Sequence, residues 1–250
     1  MSRTICPKCQ YQRLPSDRHV HEGVCPRCGI AYAKHTLKHK SPAVAEPRSR
    51  PRRAHQRHEL TDRVLRLITQ VPEETRQGVF WGQAGLLAGL VLWGVSFMLG
   101  GIDWKAINSS FMHLINLPFH EFGHVLFMPF GRFMAILGGS LFQVVLPLLL
   151  LGVFVIKQKD NFAASICLWW CGQSFIDVSP YIADAPYRSM PLIGGMGESA
   201  HDWGNLLTML DMMSSAQSLA SISFGTGCVL MVLSWCWGGY LLLLMRKKLV

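Results

Sequence analysis

The chain has 250 residues, half of them hydrophobic and 16% charged, with a formal charge of +9, which excludes a disordered chain and a small disulfide scaffold. The charge is uneven: residues 1–66 carry fifteen Lys/Arg against five Asp/Glu, and residues 67–250 carry nine against ten. A basic head on a nearly neutral apolar body predicts a multi-pass membrane protein with a cytosolic extension.

The first element in the chain is a pair of knuckles. Cys6-Pro-Lys-Cys9 and Cys25-Pro-Arg-Cys28 are two C-x2-C pairs separated by fifteen residues, a spacing that lets four thiolates close a tetrahedron about one zinc ion. Some thirty residues bury too little apolar surface to fold alone, so metal would supply the folding free energy. A reducing cytosol disfavours the alternative of two disulfides. With all four sulfurs on the ion, no coordination position is left for chemistry, and this zinc is expected to be structural. Through Cys25-Pro26-Arg27-Cys28-Gly29 the segment resembles the zinc-ribbon family, over residues 4–34. The resemblance implies a module for protein or nucleic acid, with Arg13, Arg18, Arg27 and Lys34 as phosphate contacts. Basic residues near a membrane more often set topology or touch anionic lipid, so the expected partners are the lipid bilayer and a cytosolic protein, and nucleic acid is disfavoured.

Residues 1–30 contain no apolar run of the kind a secretory signal needs, so the head is expected to stay on the synthesis side. Residues 36–58, with Lys38, Lys40, Pro42, Pro47, Arg48, Arg50 and Pro51, have the composition of a self-repelling, disordered tether. The predicted domains are a zinc ribbon at 1–35, a basic linker at 36–75 and a transmembrane domain at 76–250.

Residues 79–99 are free of formal charge and long enough for a hydrocarbon core of about 30 Å. Further predicted spans are 107–128, 134–156, 162–182 and 222–245, the last followed by Arg246, Lys247 and Lys248. Basic residues at both ends put both termini in the cytosol, which demands an even number of crossings. The weaker stretch 203–221 is the predicted sixth. The fold class is thus an all-α multi-pass membrane protein of about six transmembrane helices with a small N-terminal cytosolic zinc-ribbon domain, placed in a bacterial inner (cytoplasmic) membrane.

The second predicted span holds His120-Glu121-Phe122-Gly123-His124. On a helix, i and i+4 share a face, so His120 and His124 can bind one metal ion while Glu121 sits beside it as general base. Zinc brings the pKa of water toward neutrality, and a nearby carboxylate takes the proton as a carbonyl is attacked, then returns it to the leaving amine. Three ionisable groups within five residues of a span cost on the order of 2–3 kcal/mol each and need a function or a partner. The bland alternative is a polar packing cluster between helices. His113 is expected to be structural.

By this motif the chain resembles the site-2 protease family of intramembrane metallopeptidases. The resemblance implies a third ligand, an Asp at the start of a later span in an Asp-Gly context, and a Gly-Pro-x-x-Asn-like element entering the span after the first motif. Gly139-Ser140-Leu141-Phe142-Gln143 falls where that element would be, with Ser140 in place of proline and Gln143 in place of asparagine. Asp202, in His201-Asp202-Trp203-Gly204-Asn205, stands ahead of an apolar helix as the family's third ligand does, with Trp203 in place of glycine. Imidazole ligates zinc equally well, so His201 competes with Asp202. The member of the pair off the metal would orient a ligand, or Asp202 would only cap its helix.

Asp177 and Asp184 are not expected among the ligands; Asp177, deep in an apolar segment, is expected to support the site or to make an interhelical hydrogen bond. Cys167, Cys171, Cys228 and Cys236 lie in apolar runs and are expected to pack. The run 194–197, rich in glycine, is either a mobile approach to the site or an ordinary loop. Gly123, Gly131, Gly138 and Gly139 would leave backbone exposed in a polar cavity, and residues 132–138 would pair with an unwound substrate strand.

The expected function is an intramembrane zinc endopeptidase acting on a membrane-anchored protein substrate, with one structural zinc in the ribbon and one catalytic zinc in the membrane. The alternative from another class is a catalytically silent membrane scaffold or adaptor with structural zinc sites. A metal transporter is disfavoured by the absence of repeats and of a second His/Asp cluster.

Overall fold

The computed structural model describes residues 5–34, 52–190 and 201–250, and of residues 52–58 and 60 the backbone alone. The chain divides into two compact units, Met1–Glu59 and Leu60–Val250.

In the first unit the two C-x2-C segments fold alike. Cys6 N–H donates to Tyr11 O (2.9 Å) and Gln10 N–H to Cys6 O (2.9 Å); Cys25 N–H donates to Ile30 O (3.0 Å) and Gly29 N–H to Cys25 O (2.9 Å). The residue after each second cysteine is left-handed, Gln10 at φ 55° and Gly29 at φ 70°, which turns the chain back so that isolated bridges form between Ile5 and Gln12 and between Val24 and Ala31. The Arg13 guanidinium donates to the carbonyls of Asp17 (3.1 Å), His21 (3.3 Å), Val24 (3.3 Å) and Val20. Arg13 is therefore a structural tie across the segment that joins the knuckles.

The predicted tether is in part a helix, α1 (Arg52–Ile68). Its later residues set Val64, Leu67 and Ile68 at helical spacing among charges, a pattern that a composition average hides. Residues 36–51 and the 194–197 run lie outside the described residues. The carbonyls ending α1 find partners: Asn161 Nδ2 donates to Leu67 O (2.9 Å) and Gln70 O (2.8 Å), and Trp237 Nε1 to Ile68 O (2.8 Å). Those of Leu67 and Ile68 are among the groups that a helix end leaves without an intrahelical bond.

The second unit continues with α2 (Gln77–Gly100), α3 (Trp104–Asn108), α4 (Phe111–Phe127), α5 (Arg132–Val153), α6 (Asn161–Ala183), α7 (Asp202–Met209) and α8 (Ala216–Arg246). Among the described residues three stretches are long and apolar enough to cross a membrane: Gln77–Gly100, Arg132–Gln158, which adds a π turn to α5, and Met213–Arg246, which adds a 3-10 turn to α8. Two predicted spans are corrected. Residues 107–128 do not form one helix, because Ser109 and Ser110 divide α3 from α4 and the Ser110 hydroxyl accepts from His113 N–H (3.1 Å) as an N-cap. Residues 203–221 are divided as well: α7 has eight residues, about 12 Å, and Asp211 at φ 54° turns the chain before α8. Residues 132–138 are the first turns of α5 rather than a free strand.

The core forms around α6. Trp169 and Ile176 of α6 pack with Leu90 and Phe97 of α2, Ile107, Met112 and Met231. Helices α6 and α8 run antiparallel in backbone contact, since a Cβ at Gly172 would lie 2.7 Å from Gly227 O and one at Gly227 would lie 2.5 Å from Gly172 O. Helices α4 and α5 cross equally closely: a Cβ at Gly138 would lie 2.5 Å from Gly123 O, and one at Gly123 would strike Gly138 O.

Hydrogen bonds fix the ends. Thr75 N–H donates to Lys248 O (3.0 Å) and Val250 N–H to Thr75 O (3.1 Å), so α2 begins at the edge where α8 ends. Asn161, bonded to Leu67 and Gln70, starts α6 at that same edge. Helix α5 ends beside it, so the α4–α5 turn lies at the opposite edge, which α2 also reaches. Residues 101–127 therefore begin and end toward one edge, with Ile107 and Met112 packed into the core between.

Replacing Gly172 by Val should overpack the α6–α8 crossing and lower stability by about 1–3 kcal/mol, measured as reversible unfolding of the purified protein in detergent.

Candidate metal centres

In the first unit Cys6, Cys9, Cys25 and Cys28 bring their sulfurs into one cluster that could hold a metal ion such as zinc. The Cys6–Cys28 separation is 3.8 Å and the Cys9–Cys25 separation 3.7 Å. A disulfide needs about 2.05 Å, whereas a tetrahedron with Zn–S bonds of about 2.3 Å has edges of about 3.8 Å. Burial pushes the Cys25 thiol up, but the backbone N–H groups of Cys28 and Arg27 outweigh it and hold the thiol down at about 6. Cys9 is pushed up to about 11; the Tyr11 backbone bond opposes the rise, while burial and the Cys28, Cys6 and Cys25 thiols drive it.

The second cluster is His120, His124 and Asp202, whose ligand atoms lie within 4.8 Å of one another. His120 and His124 are one turn apart on α4, and Asp202 is the first residue of α7. Asp202 Oδ2 lies 3.2 Å from His120 Nε2 and 3.3 Å from His124 Nε2. With bonds of about 2.0–2.1 Å, tetrahedral N/O donors stand about 3.3 Å apart, and both distances to Asp202 match that separation. Each imidazole is held through its other nitrogen, His120 Nδ1 on Gln143 Oε1 (3.1 Å) and His124 Nδ1 on Ala135 O (2.8 Å). Outer partners of this kind fix ring orientation at metal sites. Space for the rings comes from Gly139, where a Cβ would lie 2.6 Å from both Nε2 atoms.

His201 goes elsewhere. Its Nε2 pairs with Asp184 Oδ2 (3.1 Å), while its Nδ1 accepts from Gly204 N–H (3.0 Å) and so caps α7. Asp184 also accepts from Ser189 Oγ (2.6 Å) and Met190 N–H (2.9 Å). Of the two competitors the fold brings Asp202 to the histidine pair, and the capping role belongs to His201. Because Asp184 follows directly on α6, this cluster sits toward the edge opposite Thr75 and Val250.

Glu121 is exposed and makes no hydrogen bond among the described residues. Ser140 and Trp203, which differ from the resembled pattern, meet each other: Trp203 Nε1 donates to Ser140 Oγ (3.1 Å) and ties α7 to α5. Gln143, which stands in place of the resembled pattern's asparagine, faces inward to His120 and Asp177. His113, expected to be structural, pairs with Asp177 (3.0 Å).

The sequence reading missed Tyr181, whose hydroxyl lies 3.4 Å from Asp202 Oδ2 and accepts from Asp202 N–H at 3.3 Å. A signal was present: Gln173, Asp177, Tyr181 and Asp184 recur at intervals of three and four along an otherwise apolar helix, the spacing of one helical face. Comparison of the chain with protein-family models, curated proteins and solved structures finds no match.

Gly139→Ala should push the imidazoles apart and lower the zinc content of the purified protein by one ion per chain, leaving the cysteine-bound ion in place, as measured by elemental analysis.

Proposed function

We propose that the second unit is an intramembrane zinc metallopeptidase that hydrolyses a peptide bond of a membrane-anchored protein, with the first unit a zinc ribbon that carries a structural ion and recruits a cytosolic protein. The observation that supports it is the convergence of His120 Nε2 and His124 Nε2 on Asp202 Oδ2, at 3.2 and 3.3 Å, in a unit that holds helices apolar enough to cross a membrane. A bundle interior has no use for three such groups unless they are partnered or functional.

His120, His124 and Asp202 would hold the ion. Zinc supplies a Lewis acid that polarises a carbonyl and brings the pKa of water toward neutrality. Glu121, next to His120 on α4 and free of hydrogen bonds among the described residues, takes the proton of the attacking water as the new carbon–oxygen bond forms. It then delivers that proton to the amine nitrogen as the carbon–nitrogen bond breaks. Tyr181 steadies Asp202 through the bond between its hydroxyl and the carboxylate. In this reading four helices cross the membrane, α2, α5, α6 and α8, and α3 with α4 forms a re-entrant element carrying the histidines. Both chain ends then lie on one side, taken as the cytosol of a bacterial inner membrane from the positive charge near Arg63, Arg66 and Arg246.

The exposure of Glu121 favours one competing reading, a silent scaffold with a structural metal. Glu121→Gln separates the two. It should keep both zinc ions while cleavage of membrane proteins falls roughly 10²- to 10⁴-fold, measured as fragments released in membranes containing the parent and absent with the variant. Equal fragment patterns from the two would reject the peptidase reading.

A further inference from the structure

A buried polar chain runs from His120 away from the metal cluster and ends on Asp177. His120 Nδ1 meets Gln143 Oε1 at 3.1 Å, and Gln143 Nε2 donates to Asp177 Oδ2 at 2.6 Å. Asp177 collects two more donors, Asn116 Nδ2 on Oδ2 (3.2 Å) and His113 Nδ1 on Oδ1 (3.0 Å). Asn116 is itself fixed, donating to Gln173 Oε1 (2.7 Å) and accepting from Trp170 Nε1 (2.8 Å). Asn116, Gln143, Gln173 and Asp177 are all at least 95% buried, so no bulk water competes for these groups.

We infer that Asp177 is a positioning residue for the metal site, acting through Gln143 to fix the tautomer and orientation of His120. The logic follows donors and acceptors. Asp177 takes donors on both oxygens, so Gln143 turns its NH₂ toward Asp177 and its carbonyl toward His120. A carbonyl only accepts, so His120 Nδ1 must carry the hydrogen. The neutral ring then has its lone pair on Nε2, the atom 3.2 Å from Asp202 that faces the metal position. Without the carboxylate, the Gln143 amide has no reason to prefer one orientation over its flip. The flip would put a donor against His120 and move the lone pair to Nδ1, away from the cluster. His124 needs no such device because a backbone carbonyl, Ala135 O, already dictates its tautomer at 2.8 Å.

This inference rests on the proposed zinc site, and the test separates the two. The full-length protein is stripped with a chelator, and zinc is titrated back in competition with a chromophoric chelator. The parent should take up two ions; a parent that binds only the cysteine-held ion overturns the metal-site reading and this inference with it. In Asp177→Asn the amide can donate as well as accept, and the second ion should bind roughly 10- to 100-fold more weakly, with the cysteine-bound ion unchanged. Gln143→Met cuts the same chain at its middle and carries the test where Asp177→Asn is not recovered folded. The double variant should be no weaker than the single ones, since residues acting through one chain are not additive. A merely structural role would lower the unfolding temperature of the stripped protein with the second ion bound as tightly as in the parent. That result in either variant overturns the positioning role.

Discussion

A polar group sunk among apolar helices must find its partner inside the protein, and in this bundle α6 supplies most of the partners. Its polar face presents Gln173, Asp177 and Tyr181, with Asp184 just past its end, to three other segments: α4, α5 and α7 with its cap. Gln173 and Asp177 hold Asn116 and His113 of α4, Asp177 also holds Gln143 of α5, Tyr181 meets Asp202 of α7, and Asp184 holds His201. Toward α8, α6 closes through Gly172 and Gly227, with Ser223 Oγ donating to Phe175 O (2.8 Å) and Ser234 Oγ to Ser165 O (2.6 Å). Leaving any one of those buried polar atoms without a partner would cost on the order of 1–3 kcal/mol. The helices are therefore set against one another by hydrogen-bond matching as much as by apolar packing, which in lipid has no hydrophobic drive between helices.

The two departures from the protease-like pattern belong together physically. A glycine at position 203 would leave the Ser140 hydroxyl facing a gap, and a proline at 140 would leave the Trp203 indole N–H without the acceptor it has here at 3.1 Å. Each residue supplies what the other needs, and the product is a tie between the helix that carries Asp202 and the helix that makes room for the imidazoles at Gly139.

Much of the site was legible in the sequence because its chemistry is local. His120 and His124 share a turn, and the cysteine knuckles announce themselves by spacing. What stayed ambiguous depended on contacts between distant segments. His201 and Asp202 are adjacent and both precede an apolar helix; only the presence of Asp184, seventeen residues earlier, draws one of them off. Helix breaks were hidden for a different reason. Hydropathy averages over a window, whereas α3 and α4 are parted by a two-residue serine cap and α7 and α8 by a single left-handed Asp211. The tether failed in the opposite sense, since its net charge masked an amphipathic run near its end.

The pairing of Thr75 with the last three residues has a practical side. Any label fused after Val250 would load the hydrogen bonds that mark the start of α2, so a C-terminal reporter risks perturbing the very boundary it is meant to locate. Such a reporter would also sample only the face where the chain arrives and departs. The His120, His124 and Asp202 cluster lies toward the other face, and a probe meant to sense events there belongs near Tyr187, which is exposed at the α6 end of the bundle.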